Sequence, residues 1–170
     1  MDEIILVDGA DNEIGWIEKA SGHRGSGLLH RAFSILIFDG DRMLLTRRSP
    51  GKATWPLRWS NACCSHPRRG ESCLEAGTRR LREELGFSCD LQFLFKFQYA
   101  AIYDDRFAEN ELDWVFAGRY SGPIRLNPTE AVDHRFVAAG ELRRELESDP
   151  ERYTPWFRII MNELPEYSGP

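Results

Sequence analysis

Short apolar runs bounded by turn residues recur along the chain and predict a β-sheet. They lie at residues 4–7, 33–38, 43–46, 91–103, 112–120 and 131–137. Runs of this length that are rich in Val, Ile, Phe and Tyr are typical of strands. The turn sequence D-G-D at 39–41 separates the second run from the third. It predicts that these two strands form an antiparallel hairpin.

Residues 71–86 follow a different period and predict a helix. Leu74, Leu81 and Leu85 recur at helical spacing. Gly86 follows them, where a glycine commonly ends a helix. This segment therefore interrupts the strand pattern with one amphipathic helix.

Two further helices are expected after the last strand, at 140–148 and 154–163. The second of these would begin with Thr154 as its cap and Pro155 in its first turn. Strands and helices together predict one domain over residues 1–170, in which a mixed sheet is flanked by helices. This is an α/β or α+β layered fold.

Composition limits the classes of function. The chain has 170 residues, of which 42% are hydrophobic, enough for one core. Its net charge of −5 argues against a general nucleic-acid-binding surface. No apolar run approaches the length of about 20 residues that a membrane helix needs, so we expect no membrane association and a cytoplasmic location. We expect a monomer or a weak homodimer.

The four cysteines are best interpreted as reduced thiols. Two of them, Cys63 and Cys64, are adjacent in the segment S-N-A-C-C-S-H-P. Neighbouring cysteines rarely bridge each other, because the bond geometry strains the backbone between them. A zinc site would need C-x-x-C spacing, which C-C does not supply. Buried packing and a catalytic thiol remain as alternatives.

The segment 70–87, G-E-S-C-L-E-A-G-T-R-R-L-R-E-E-L-G-F, resembles the Nudix box, a loop and helix that bind a metal–diphosphate group. Without that resemblance, its charges would be read as a solvated helix face with paired charges. Two positions depart from the family pattern, since Ser65 replaces the leading Gly and Arg80 replaces a Glu. An arginine removes a metal-binding carboxylate and supplies a phosphate ligand. The resemblance therefore implies diphosphate binding and puts hydrolysis in doubt.

A second group of residues combines imidazoles and carboxylates. Glu109 and Glu111 are two residues apart, so on a strand both would point the same way and repel unless a cation lies between them. His23, His30 and His66 are each ordinary when taken singly. Together with W-S-N-A-C-C-S-H-P and E-N-E, they resemble the type 1 isopentenyl-diphosphate isomerases, a Nudix-fold family, over about residues 6–156.

The resemblance implies an isomerase that converts isopentenyl diphosphate to dimethylallyl diphosphate. Cys64 and Glu111 are its acid–base pair, with Tyr99 tuning Glu111 and Cys63 a bystander. We favour Glu111 as the group that protonates and Cys64 as the one that deprotonates. We expect the cationic surroundings of the diphosphate to lower the pKa of Cys64.

The same resemblance implies the ligands of metals and substrate. One divalent ion, Zn²⁺, Mn²⁺ or Fe²⁺, would be held by His23, His30, His66, Glu109 and Glu111. A Mg²⁺ ion that bridges the diphosphate would be held by Glu84. Lys19, Arg48, Lys52 and Arg80 would face the diphosphate, and Trp156 would line the pocket and stabilise a carbocation.

Two rival functions remain. A Nudix hydrolase of a nucleoside diphosphate derivative would use the same helix, but it predicts Glu at position 80. A binding protein on a decayed Nudix fold predicts loss of the catalytic side chains. Both acid–base candidates and every proposed ligand are present in this sequence.

Overall fold

The computed structural model describes residues 2–164, so Met1 and residues 165–170 of the expected domain lie outside it. Within this range the strands are β1 Glu3–Val7, β2 Glu13–Glu18, β3 His30–Asp39, β4 Arg42–Arg48, β5 Trp59–Asn61, β6 Cys63–Ser65, β7 Leu91–Ile102, β8 Ala108–Arg119 and β9 Ala131–Ala138. The helices are α1 Lys19–Gly22, α2 Cys73–Leu85, α3 Ala139–Ser148 and α4 Pro155–Glu163, with a 3-10 turn at Pro150–Arg152. None of these helices is long and apolar enough to cross a bilayer.

The strands β3 and β4 form the hairpin expected from D-G-D and then diverge. They pair only at Phe38 with Met43 and at Asp39 with Arg42. Beyond that point β3 pairs with β8 in parallel and with β6 antiparallel, whereas β4 pairs with β5 and β9. The chain from β5 to β6 crosses between the two halves of the sheet, and this crossing carries the adjacent cysteines.

Helices pack on both faces of the sheet. Along β3, Phe33, Ile35 and Ile37 belong to the apolar cluster that includes residues of α2. Leu36 and Phe38 belong to a second cluster that includes residues of α4. Because successive side chains of a strand point to opposite faces, this alternation places β3 at the centre of a layered fold.

Helix α2 has the ends that its sequence predicts, and it buries Leu81 and Leu85 as expected, but not Leu74. Ser72 and Glu75 form a reciprocal capping box at its start, and Gly86 ends it at φ 75°. Leu74, expected in the apolar stripe, is 45% exposed, and the preceding Cys73 is buried instead. The expectation for Leu74 was wrong because, in this first turn, Cys73 packs into the core and Leu74 lies on the exposed side of the helix.

The sequence did not predict β2, β5 or β6. Strands β5 and β6 have three residues each, too few to show a period. Strand β2 lies at the edge of the sheet and leaves Ile14 and Trp16 exposed. Its apolar residues therefore do not mark a buried face.

Candidate active site

A cavity of about 470 Å³ lies among residues from both halves of the sheet. Its wall includes nearly all the side chains singled out in the sequence: Lys19, His23, Arg48, Lys52, Cys64, His66, Arg80, Tyr99, Glu109, Glu111 and Trp156. The remaining two, His30 and Glu84, are buried and are not part of the wall.

Three imidazoles and one carboxylate converge at one point beside this cavity. His23, His30, His66 and Glu111 each offer a ligand atom, and these atoms lie within 4.8 Å of one another. The parallel pairing of β3 with β8 sets His30 opposite Glu111. His66 Nε2 lies 2.9 Å from Glu111 Oε1 and 3.1 Å from His30 Nε2.

The orientations of two histidines fit a metal ligand set. His23 Nδ1 lies 2.7 Å from the carbonyl oxygen of Lys19, and His30 Nδ1 lies 2.7 Å from that of Leu28. A ring nitrogen that donates to a carbonyl leaves the lone pair on Nε2, so these two Nε2 atoms point inward as ligands. Burial holds the pKa of His66 well below its usual value and keeps this imidazole neutral, the form that binds metal.

Glu109 lies next to the three imidazoles and Glu111, in contact with His23. Its Oε2 lies 3.0 Å from His23 Nε2 but accepts no hydrogen bond from the described residues. Two atoms that bind the same metal ion would also lie close together without a hydrogen bond between them. Burial opposes the charged form of His23, but the neighbouring Glu109 outweighs burial and raises the pKa of His23. A set of three imidazoles and two carboxylates fits a divalent transition metal.

Glu111 and Tyr99 form one reactive unit across the β7–β8 pair. Their registers place them opposite each other, and the Tyr99 hydroxyl donates to Glu111 Oε2 at 2.5 Å. Burial would raise the pKa of Glu111, but His30 and His66 overcome this and hold it well below its usual value. Burial and the Glu111 charge raise the pKa of Tyr99 well above its own. The unit is thus an ionised carboxylate with a protonated phenol.

The pKa of Cys64 is shifted in the direction opposite to that of Glu111. Its thiol donates to Asn61 Oδ1 at 3.0 Å, and its sulfur accepts from Trp156 Nε1 at 3.0 Å. Burial, with the Asp113 charge, raises the pKa of Cys64 to about 12, although Ser60 and Arg48 act against it. The expectation of a lowered pKa was wrong for the chain alone, because loss of solvent outweighs the nearby cations.

The four predicted diphosphate-binding cations all line the cavity, but they have protein partners. Arg80 contacts Glu83, Glu84 and Glu130 at 2.7–2.8 Å. Lys52 shares Glu130 with it. Burial opposes ionisation of Glu130, but these two cations lower its pKa to about 2.

The other two cations, Lys19 and Arg48, differ in their freedom. Lys19 is 41% exposed and lies 3.6 Å from Asp2 Oδ2. Arg48 donates to the carbonyl oxygens of Thr54 and Trp55, and its guanidinium carbon lies 5.1 Å from the Trp156 ring centre. Arg48 therefore has more protein contacts than the partly exposed Lys19 side chain.

Glu84 does not join the convergent ligand group. Its Oε1 accepts from Arg80 Nε at 2.9 Å and from Cys63 Sγ at 3.2 Å. Burial raises its pKa. This position, behind Arg80, gives the predicted magnesium role no direct support.

Sequence reasoning missed several polar residues of the site. Thr54 donates to Glu109 Oε1 at 2.9 Å, and Ser34 donates to the buried Asp113 at 2.8 Å. Burial and Glu111 raise the pKa of Asp113 well above its usual value. The alternation of acids at 109, 111 and 113 could have identified Asp113, but no spacing marks Thr54.

Comparison with known proteins places this geometry in context. The family described as "NUDIX domain" matches residues 28–157. "Isopentenyl-diphosphate Delta-isomerase 1" of Aromatoleum aromaticum is 46% identical over 164 residues, which are 96% of this chain and 92% of that protein. "Isopentenyl-diphosphate Delta-isomerase" of Serratia proteamaculans is 44% identical over 166 residues, with 96% and 92% covered.

Solved structures with little sequence similarity share the fold. The crystal structure of DR0079 from Deinococcus radiodurans has a TM-score of 0.77 at 17% identity and covers 95% of this chain and 98% of that one. A MutT NUDIX hydrolase from Burkholderia pseudomallei has a TM-score of 0.66 at 19% identity, with 81% and 98% covered. The layered fold expected from the sequence is thereby confirmed.

Proposed function

The chain belongs to the Nudix superfamily and, within it, to the type 1 isopentenyl-diphosphate isomerases, and we propose that Cys64 and Glu111 are its acid–base pair. It interconverts isopentenyl and dimethylallyl diphosphate, a step of isoprenoid biosynthesis. The observation that carries the residue assignment is that Cys64 and Glu111 line one cavity, Cys64 in contact with Trp156 and Glu111 in contact with Tyr99.

The reaction sets demanding conditions. A proton must be added at the terminal alkene carbon and another removed two carbons away. An alkene is a very weak base, and the cationic intermediate would react with water. The site therefore needs a strong acid, a strong base and exclusion of water.

The opposed pKa shifts favour the protonation state in which the forward step ends. A carboxyl group with a low pKa is a strong acid whenever it carries a proton, and a thiol with a pKa of about 12 is a strong base when ionised. In the forward direction, we assign protonation to Glu111 with Tyr99 and deprotonation to Cys64. This step leaves an ionised Glu111 and a protonated Cys64, which is the state of the free chain. Solvent must then return one proton from Cys64 to Glu111 before the next forward turnover.

The aromatic wall supplies stabilisation for positive charge. Trp156 lies on the cavity, with Trp55 at 5.6 Å between ring centres and Tyr99 at 6.4 Å. An indole face next to a desolvated cation contributes on the order of 2 kcal/mol. Of these rings, Trp156 and Tyr99 line the cavity.

His23, His30, His66, Glu109 and Glu111 would hold one divalent cation, with Zn²⁺, Mn²⁺ and Fe²⁺ as candidates. When bound, such a cation supplies positive charge that fixes Glu111 and increases the acidity of its protonated form. A Mg²⁺ ion bound with the diphosphate near Glu84 is part of the proposal by family resemblance.

Four cations of the cavity wall, Lys19, Arg48, Lys52 and Arg80, would bind the diphosphate. Two of them exchange their contact with Glu130 for substrate oxygens. A cytoplasmic location and action as a monomer or weak homodimer complete the proposal, and light scattering with cell fractionation would test both.

Hydrolysis is the alternative activity. Arg80 occupies a position where the Nudix pattern has Glu, so the helix lacks one of the carboxylates that would bind a hydrolytic metal. This observation favours isomerisation over cleavage.

The test is incubation of the metal-loaded protein with isopentenyl diphosphate in D₂O, followed by proton NMR and a phosphate assay. Dimethylallyl diphosphate carrying deuterium, without release of phosphate, is the expected product. Phosphate release without movement of the double bond would contradict the proposal and favour the hydrolase.

A further inference from the structure

Side-chain contacts next to the Cys64 thiol form a circuit, which the backbone between Thr154 and Trp156 closes. Asn61 Oδ1 accepts from Cys64 Sγ and from Ser60 Oγ, each at 3.0 Å. Ser60 Oγ lies 2.8 Å from Thr154 Oγ1. Two residues after Thr154, Trp156 donates from Nε1 back to Cys64 Sγ at 3.0 Å. Ser60 Oγ also lies 3.7 Å from the sulfur, so all three side-chain contacts of the thiol come from elements that the Ser60–Thr154 contact joins.

The orientation of Asn61 is fixed by its other half. Its Nδ2 donates to the carbonyl oxygens of Ile35 at 3.2 Å and Cys63 at 2.9 Å, and the residue is 1% exposed. Both amide hydrogens are therefore used, and Oδ1 must face the thiol. An amide turned the other way would lose both of these hydrogen bonds.

Thr154 departs from the usual behaviour of its position. It is the residue before helix α4, where a threonine hydroxyl ordinarily accepts from a first-turn N–H. Here it makes no such bond, and its hydroxyl contacts Ser60 instead. The helix start is held separately by the hydrogen bond from Thr154 N to the Trp59 carbonyl, at 3.0 Å. The Thr154 hydroxyl therefore serves the contact with Ser60 and not the start of the helix.

We propose that Ser60, Asn61 and Thr154 are positioning residues that hold the Cys64 thiol against the Trp156 indole at the reacting carbons. The contact between the Ser60 and Thr154 hydroxyls fixes β5 relative to α4, and the Asn61 amide fixes the direction of the thiol hydrogen. This inference rests on the proposed function, because it gives these residues a task only if Cys64 acts on substrate.

The test compares Thr154→Val, which removes the hydroxyl, with Thr154→Ser, which keeps it. Thr46→Val is the matched control, because Thr46 also donates a buried hydroxyl bond near Asn61, to its carbonyl at 3.0 Å, but lies outside the circuit. Turnover of isopentenyl diphosphate and thermal unfolding are measured on metal-loaded protein. Alkylation of Cys64 by iodoacetamide is followed by peptide mass mapping at one pH, without substrate.

Thr154→Val should lower kcat roughly tenfold with KM within about twofold, since misplacement of a reacting group affects the chemical step. It should also change the alkylation rate of Cys64 at least about threefold. Thr154→Ser should restore most of both values, and Thr46→Val should alter only the unfolding temperature. In the double variant Ser60→Ala/Thr154→Val, kcat should fall no further than in the worse single variant, because one circuit is broken twice.

Three results would overturn the inference: normal kcat and alkylation in Thr154→Val, equal loss in Thr46→Val, or multiplicative losses in the double variant. Failure of the unaltered protein to isomerise substrate would instead overturn the proposed function. The alkylation measurement does not depend on turnover, so the two failures are distinguishable.

Discussion

The Glu111 side and the Cys64 side of the cavity hold their reactive groups by different physical means. On the Glu111 side, histidine contacts outweigh burial and keep a carboxyl group ionised. On the Cys64 side, burial outweighs nearby cations and keeps a thiol protonated. One cavity thereby separates the acidities of the two groups, and the free chain is in the protonation state that the forward step leaves.

The largest effect should come from removal of either reactive group. We expect Cys64→Ala and Glu111→Gln each to lower kcat by about 10²–10⁴-fold, the usual contribution of a positioned acid or base. Steady-state kinetics with metal-loaded protein would measure this. Cys63→Ala is the matched control and should stay within about fivefold of the unaltered enzyme. A severe loss in Cys63→Ala, with Cys64→Ala mild, would mean that the wrong thiol has been assigned.

Tyr99→Phe tests whether the Tyr99 hydroxyl contributes to the reaction at Glu111. Loss of the hydroxyl removes the 2.5 Å hydrogen bond to Glu111 while keeping the ring. We expect kcat to fall by about 10–100-fold, with little change in KM. Tyr103→Phe, outside the Glu111 contacts, is the comparison variant. Equal behaviour of the two variants would remove Tyr99 from the reacting unit.

Arg80→Gln should affect binding more than chemistry. Loss of a charge-assisted phosphate contact should raise KM roughly tenfold, because such contacts contribute about 1.5–3 kcal/mol. The exposed Arg82→Gln on the same helix is the control and should leave KM unchanged. An unchanged KM in Arg80→Gln would exclude Arg80 from the diphosphate site.

The smallest effect is expected outside the cavity, at the pair of Glu71 with Arg79. Arg79 donates two hydrogen bonds of 2.8 Å to Glu71 and lowers its pKa from 4.5. A lowered folded-state pKa stabilises the protein above the unfolded value and loses that stabilisation as pH falls. Glu71→Gln should therefore cost about 1 kcal/mol at neutral pH.

Urea unfolding across a pH series would measure this cost, which should shrink below pH 4.5. The kcat of the variant at neutral pH should stay normal. A cost that is independent of pH would contradict the ion-pair explanation.

Much of the fold could be read from the sequence because its signals are local. The apolar runs, the D-G-D turn and the helix ended by Gly86 each depend on a few neighbouring residues. The short strands β5 and β6 could not be found this way, since pairing with β4 and β3 defines them. The prediction for Leu74 failed for a related reason. Helical spacing gives an apolar stripe, but packing decides which edge of the stripe contacts the core.

The candidate site was predicted through motifs, and the structure brings the segments that carry these motifs together around one cavity. They did not give the acidity of Cys64, because burial depends on the packed surroundings and not on the neighbouring letters. They also missed Thr54 and Glu130, which act through single contacts with Glu109 and with the cations. Long-range pairing is the information that a single sequence lacks.

The most direct test of the acid–base pair is deuterium exchange in the Cys64→Ala variant. The metal-loaded variant is incubated with isopentenyl diphosphate in D₂O, and the substrate is examined by NMR. If Glu111 with Tyr99 protonates the alkene and Cys64 removes the second proton, deuterium should enter the terminal carbon without accumulation of dimethylallyl diphosphate. Normal isomerisation by this variant, or absence of deuterium from the terminal carbon, would contradict the assignment.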